Sequence, residues 1–412
     1  MTENGSGASR LPKIFIHIGE PKTGTTFLQQ LMFSNRRALV TQGVILPGVR
    51  PRYHFRATQD LRGVEPEPND PLAPFEGAWD RLVQEVLRGP RVGLVTHEML
   101  SSVTQEQADR AVKSFGDAEV HVVLSVRDFG SLLPAEWQES IKNRNAESYE
   151  QWLGHVIDSE SVDPDRRQWW FWKVHDTLEI LRIWSRHVPP ERVHIITMPP
   201  RGSSQNLLWQ RFAELVGIDP GSVDPSRAKS NASLSVAEVE FIRRINQALP
   251  PDMPEWFYMH HVKGALAHNA FAGNPKRGGR LSLPAERDEW AAKQAESVIA
   301  DIRTSGYDVV GDLDELLPRP PEGARFGPQD ATSDDMVEAG VLAIVRVLHE
   351  FQESLNDRPA GQAPPRPPTR LAKAKRAVLR ASDRHESVYA ARRAWWWVAN
   401  TGRALGAKLR SR

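Results

Sequence analysis

Apolar residues along this chain fall into short, β-branched runs, and each run is followed by a stretch with helical spacing. Lys13–Gly19 precedes Thr25–Asn35, Arg91–Thr96 precedes Thr104–Ser114, Val120–Val126 precedes Gly130–Arg144, and Val193–Met198 precedes Gln205–Val216. Runs that are apolar at successive positions suit strands covered on both faces, and strand–helix alternation supplies the crossovers that parallel strands need. The pattern therefore predicts an α/β fold, a parallel sheet with helices on both faces, whose ligands bind at the C-terminal ends of the strands. Later helices, at about Val236–Ala248, Pro284–Thr304 and Asp334–Leu355, are expected to pack around the sheet. There is no internal repeat.

Past residue 357 the pattern changes. A Pro-rich stretch at 358–369 reads as an extended linker, separating a body at 13–357 from a tail at 370–412; residues 1–12 are polar and expected to be disordered. Of 53 basic and 52 acidic residues, 13 and 2 lie between Arg366 and Arg412, so that segment carries +11 and the remainder −10. Within it Val388, Ala391, Trp395, Val398, Gly402, Leu405 and Leu409 alternate in steps of three and four, the spacing of a basic amphipathic helix. Such a helix suits attachment to an anionic membrane surface, with Trp395, Trp396 and Trp397 at headgroup level. An arginine-rich disordered tail, or a helix docked on its own acidic body, fits the composition equally well. Nucleic acid is not the expected partner. With no apolar leader and no run of roughly 18 apolar residues, the expected location is the cytoplasm, with the tail at the inner face of the membrane.

The chain has no cysteine, which rules out a disulfide framework, a cysteine nucleophile and thiolate metal ligands. Candidate chemistry begins where the first strand ends. Ile14 to Phe27 reads as a buried strand, a tight basic turn and a helix start, an arrangement whose backbone amides and helix dipole favour an anion. Gly19 and Gly24 have the spacing of a nucleotide-triphosphatase loop, yet Thr25 stands where the lysine of G-x-x-x-x-G-K-[ST] belongs, and the loop's lysine is Lys22. A second constellation, Val122 to Asp128, is a buried strand ending in Arg127 and Asp128, where a guanidinium can fork onto a phosphate.

Pro21-Lys22-Thr23-Gly24-Thr25-Thr26 resembles the 5′-phosphosulfate loop of sulfotransferases that use 3′-phosphoadenosine 5′-phosphosulfate (PAPS). The resemblance covers roughly residues 13–310, is strongest at this loop and around Arg127, and continues through Leu133 to Glu139, which looks like bacterial members. It implies a P-loop NTPase-like sulfotransferase architecture, PAPS as donor, a hydroxyl-bearing carbohydrate, lipid or small metabolite as acceptor, and no metal. It also implies that Lys22, Thr23, Gly24, Thr25 and Thr26 hold the 5′-phosphosulfate, with Lys22 neutralising charge on the leaving phosphate, and that Arg127 holds the 3′-phosphate. The family's serine eight residues after the arginine is here Ala135; either Ser131 substitutes for it or affinity for the donor falls. Lys276 to Arg280, with Arg277 and Gly278 at its centre, resembles in position the basic loop that closes over the 3′-phosphate, although an ordinary surface turn fits as well.

Glu98, after the apolar strand Val92–Thr96, resembles the catalytic base of glycan-directed members; partial desolvation raises a carboxylate's proton affinity towards a useful value. Lys22 or Arg127 is its expected counter-ion, and His97 and His54 are rival bases. Trp169, Trp170 and Trp172 read as helix packing or as an acceptor wall. Asn231 or Ser233 is the expected cap of the helix at Val236. No metal-ligand spacing appears, and His260 and His261 are expected to point apart on a helix. A small-molecule kinase with a degenerate loop and a nucleotide-binding module that has lost transfer are the alternatives. Oligomeric state and acceptor identity are left open.

Overall fold

The computed structural model of the chain describes residues 11–66, 72–89, 91–162, 169–204, 206–228, 233–271, 279–321 and 323–356. Six parallel strands form one sheet in the order β2-β3-β1-β4-β5-β6. In chain order its parts are β1 (Lys13–Gly19), α1 (Thr25–Ser34), α2 (Arg36–Thr41), β2 (Val44–Ile45), α3 (Arg52–Leu61), α4 (Ala78–Leu87), β3 (Val92–Thr96) and α5 (Gln105–Lys113). There follow β4 (Glu119–Val126), α6 (Phe129–Lys142), α7 (Tyr149–Val162), α8 (Trp170–His175), α9 (Thr177–Trp184), β5 (Val193–Thr197), α10 (Leu207–Val216) and α11 (Val236–Ala248). A π-helix at Tyr258–Ala270, α12 (Asp288–Ser305), β6 (Asp308–Val310) and α13 (Ser333–Asn356) complete the described chain. The expected α/β class and parallel sheet are thus observed, with two strands beyond the four that the pattern indicated.

The sheet runs through the middle of two apolar layers. Ile14, Ile16 and Ile18 of β1 pack with Trp79, Leu82 and Trp184 on one face, while Phe15 packs with Leu28, Leu31, Met32 and Phe212 on the other. Burial on both faces is why the strands read as near-continuous apolar runs. Edge strand β6 is secured where Thr197 and Arg211 meet Glu315, the guanidinium donating two bonds at 2.7 and 2.8 Å. A third apolar cluster joins α6, α7, α8, α11 and the π-helix around Trp137, Phe171, Trp172 and Tyr258, and forms a helical wall beside the sheet's C-terminal edge.

β1 lies between β3 and β4, so the chain leaves it to one side and later returns to the other. The crevice expected at such a reversal falls at the ends of β1, β3 and β4. These elements lie within the unit Met1–Leu348; His349–Arg412 forms a second unit, described only as far as Asn356. The amphipathic tail, with the linker before it, lies outside the described residues.

Candidate active site

A cleft of about 2040 Å³ opens at the C-terminal ends of β1, β3, β4 and β5. Its floor is the turn after β1. Gly19 and Gly24 take positive φ values of 91° and 82°, and Lys22, which is not a glycine, takes 61°. That conformation is uncommon for a residue with a side chain and costs of order 1–3 kcal/mol. The surroundings hold it: Arg127 donates to the Lys22 carbonyl at 3.0 Å, and Thr23 and Thr25 donate their hydroxyls to the Glu20 carbonyl at 2.6 and 3.1 Å.

Gly24 is the residue before α1, and among the described residues no side chain caps that helix. The first intrahelical bond runs from the Leu28 amide to the Gly24 carbonyl, so the amides of Thr25, Thr26 and Phe27 face the helix mouth, where the dipole favours an anion. Lys22, Gly24, Thr25 and Thr26 all line the cleft. Thr23 is fully buried and does not; its hydroxyl shapes the turn. The Thr25 hydroxyl is likewise committed to the turn, and Thr26 is exposed.

Behind the turn lies a buried relay. The Glu20 carboxylate accepts from the Thr177 hydroxyl at 2.6 Å and meets His175 Nδ1 at 3.2 Å, while His175 Nε2 meets Glu136 at 3.1 Å. All three ionisable groups are buried. Burial disfavours the imidazolium, but the carboxylates of Glu136 and Glu20 on either side outweigh it and raise the His175 pKa to about 9. Burial likewise opposes the Glu136 carboxylate, yet His175 holds it below the usual range. His175 thereby ties the turn after β1 to α6 and α8. Residues 155 positions apart meet here, and no local spacing in the sequence announces it.

Glu98 stands at the end of β3 and lines the cleft. Its backbone lies against Gly19 so tightly that a Cβ on Gly19 would approach the Glu98 Cα to 2.8 Å. The Glu98 carboxylate accepts from Gln29 of α1 at 3.3 Å, whereas the Lys22 ammonium is bonded to Glu139 at 2.6 Å and the Arg127 guanidinium to the loop carbonyl. Neither cation is bonded to Glu98 as expected.

The rival bases are more constrained. His54 is buried with Nε2 on the Pro47 carbonyl and Nδ1 accepting from the Thr96 amide, and burial lowers its pKa to about 3. His97 lines the cleft, but its Nδ1 accepts from the Met99 amide, and burial lowers its pKa as well. His17, which sequence reasoning did not single out, pins β1 to β3 and β4 through Thr96 and Ser125 at 2.9 and 3.0 Å.

Arg127 lines the cleft at the end of β4, with Asp128, Arg201 and Arg280 within electrostatic range. Ala135 faces the cleft; Ser131 does not line it, and bonds to Asp128 through its amide at 2.7 Å. Arg277 and Gly278 lie outside the described residues. Next to them the chain pairs with the start of α11, where the Val236 amide bonds to the Gly279 carbonyl and Arg280 bridges Ser235. Asn231 also lies outside the described residues, and the cap of α11 is Ser235, in a reciprocal box with Glu238. The signal was present as Ser235-Val236-Ala237-Glu238. Trp172 is buried and donates to the Val156 carbonyl, whereas Trp170 is exposed on the cleft and Trp169 is exposed. The rings of His260 and His261 lie 4.6 Å apart, edge to face, rather than diverging, in a segment that is a π-helix.

The far wall carries cations. Glu139 of α6 meets Lys22 at 2.6 Å, Lys142 at 2.9 Å and Lys263 of the π-helix at 2.8 Å. Burial opposes its charge, but the three lysines hold this carboxyl far below the usual range. It stays ionised and is a poor proton acceptor. No protein-family model and no curated protein matches this chain.

Proposed function

We propose that this chain is a PAPS-dependent sulfotransferase that moves a sulfuryl group onto an acceptor hydroxyl without a metal. The observation that carries the reading is Lys22: it is held at positive φ between two glycines in the turn that leads into α1, its carbonyl is bonded by Arg127, and it lines the cleft with its ammonium on Glu139. A lysine inside the loop suits charge that moves from sulfate to leaving phosphate. Donors aimed at charge developing in the transition state, together with positioning, supply most of the catalysis in such transfers.

In this reading the amides of Thr25, Thr26 and Phe27 bind the 5′-phosphosulfate together with Gly24, whose positive φ and close packing on Leu208 set the turn that presents them. Arg127 binds the 3′-phosphate, with Arg280 nearby; Arg277 and Gly278, just before Arg280 in sequence, are proposed to contribute to the same phosphate. Thr23 acts through the turn, and Ser131 through Asp128. Glu98 accepts the proton of the acceptor hydroxyl as its oxygen forms a bond to sulfur and the bond from sulfur to the leaving phosphate oxygen breaks. Gln29 orients that carboxylate.

Calorimetry with the product nucleotide, 3′-phosphoadenosine 5′-phosphate (PAP), in the presence of chelator tests the donor class. Submicromolar, metal-independent binding is expected, and its absence would overturn the reading. Among the described residues no helix is long and apolar enough to cross a membrane; we further propose that residues 370–412 attach the protein to anionic membrane surfaces. Deleting 366–412 should then abolish salt-sensitive binding to anionic vesicles while PAP binding is kept. Equal vesicle binding by the shortened chain would remove that role.

A further inference from the structure

The cations around Glu139 exceed what the donor reading uses. Three ammonium groups converge on one carboxylate, an excess of two positive charges, on side chains that retain only 13 to 23% exposure. Groups so placed are screened less than surface charges. They come from three separate elements: Lys22 from the turn after β1, Lys142 from the last turn of α6, and Lys263 from the π-helix. A lysine at a helix C-terminus is ordinary, since it complements the dipole; that explains Lys142 and neither of the others.

The π-helix adds a second, independent observation. Its ladder links residues five apart, so Lys263 and His268 come close to one face, whereas in an α-helix they would stand about 140° apart. Both line the cleft, as do Lys142 and Asn143. Lys263 also donates to Asn143 at 2.6 Å, which fixes the ammonium at the end of α6. An ammonium has three donors. Among the described residues Lys142 spends its contact on Glu139, and Lys263 spends two, on Glu139 and Asn143, so both keep donors for a ligand. Π-helical turns occur frequently at functional sites, and here the winding presents a cation and an imidazole to the cleft.

We propose that Lys142, Lys263 and His268 form a recognition site for an anionic group, a carboxylate or sulfate, borne by the acceptor beside the hydroxyl that is modified. That an acceptor bears the group rests on the transfer reading above; the anion site itself does not. Glu139 holds the ammonium groups close together, and when Lys22 turns to the donor it retains the other two. An incoming carboxylate or sulfate then adds charge-assisted hydrogen bonds to Lys142 and Lys263, with His268 as a neutral partner.

The test compares 4-nitrophenyl β-glucuronide with 4-nitrophenyl β-glucoside, which differ in the carboxylate, by ligand-observed NMR on the full-length protein, with and without saturating PAP. Charge-assisted bonds lead us to expect the glucuronide to bind at least about tenfold more tightly. In Lys142→Gln/Lys263→Gln the preference should vanish while PAP affinity by calorimetry stays within about twofold, and Lys263→Gln alone, the milder change, should lose part of it. Equal binding of the two glycosides, or a preference that survives loss of both lysines, overturns the proposal. A glucuronide preference without PAP binding would instead keep the anion site and remove the donor reading.

Discussion

Gly19 and Glu98 touch through their backbones: the glycine at the end of β1 has φ 91°, and a methyl group placed on it would lie 2.8 Å from the Glu98 Cα. The turn that faces the helix dipole and the carboxylate at the end of β3 are therefore fixed to each other by a contact only glycine permits. Gly19→Ala should lose about 1–3 kcal/mol from strain at positive φ and the clash, and the easiest relief is to push Glu98 away. Urea unfolding reads the first effect. If Glu98 is the base, transfer should fall further than PAP affinity; a Gly19→Ala protein of unchanged stability would show that the contact is slack.

The Lys22 ammonium separates clamping from catalysis. Glu139 keeps Lys142 and Lys263 when Lys22 is lost, so the change should cost about 1–3 kcal/mol of stability, as for one hydrogen bond to a charged group. Under the transfer reading Lys22→Ala should lower kcat by about 100-fold or more, as expected when a donor to developing charge is removed, while PAP affinity by calorimetry changes by less than about tenfold. Equal losses in the two measurements would leave Lys22 as a clamp.

Much of the fold was legible in the sequence, for a physical reason. Strands β1, β3, β4 and β5 are buried on both faces and so carry near-continuous apolar runs, and α11 matches Val236–Ala248 because its apolar spacing is regular. β6 escaped because it is a three-residue edge strand that begins with the exposed Asp308, and β2 because two residues carry no period. The π-helix escaped because its repeat is not the 3.6 residues that apolar spacing is read against. In the site, Lys22, Arg127 and Glu98 were legible as ends of strands. The Glu20–His175–Glu136 relay and the lysines on Glu139 were not, since their partners come from distant segments that only the folded chain brings together.

Acid should destabilise the protein through two histidines that burial holds neutral. Desolvation lowers the His17 pKa to about 4, against a weaker opposing effect of Glu98, and the His54 pKa to about 3. A pKa depressed on folding means that the unfolded chain binds the proton more readily. The contribution is whole above about pH 6.5, where the unfolded imidazole is neutral, and is lost as pH falls towards the folded values. Urea midpoints should therefore drop between pH 6.5 and 4, and His17→Asn, which can keep one of the two strand-pinning bonds, should flatten part of that slope. A slope unchanged by His17→Asn would assign the acid loss elsewhere.

His175 should act in the opposite direction. Its pKa is raised on folding to about 9, so the folded protein binds this proton more tightly than the unfolded chain. The sign reverses: the contribution is full below the unfolded value of about 6.5 and is lost as pH rises through 9. Glu136, held below its ordinary range, adds stability that is present at neutral pH and lost in acid. Replacing the imidazole by an uncharged side chain leaves Glu20 and Glu136 buried without their shared cation, a loss expected to cost about 3–5 kcal/mol. His175→Gln should thus be strongly destabilised at pH 6 yet lose less further stability between pH 6.5 and 9 than the parent protein does. Because Glu20 carries the carbonyl on which Thr23 and Thr25 close the turn, PAP affinity should weaken with it even in folded samples. Unfolding curves across that pH range check the first part and calorimetry the second; a His175→Gln protein with the parent's alkaline slope would show that His175 is not the proton carrier of the relay.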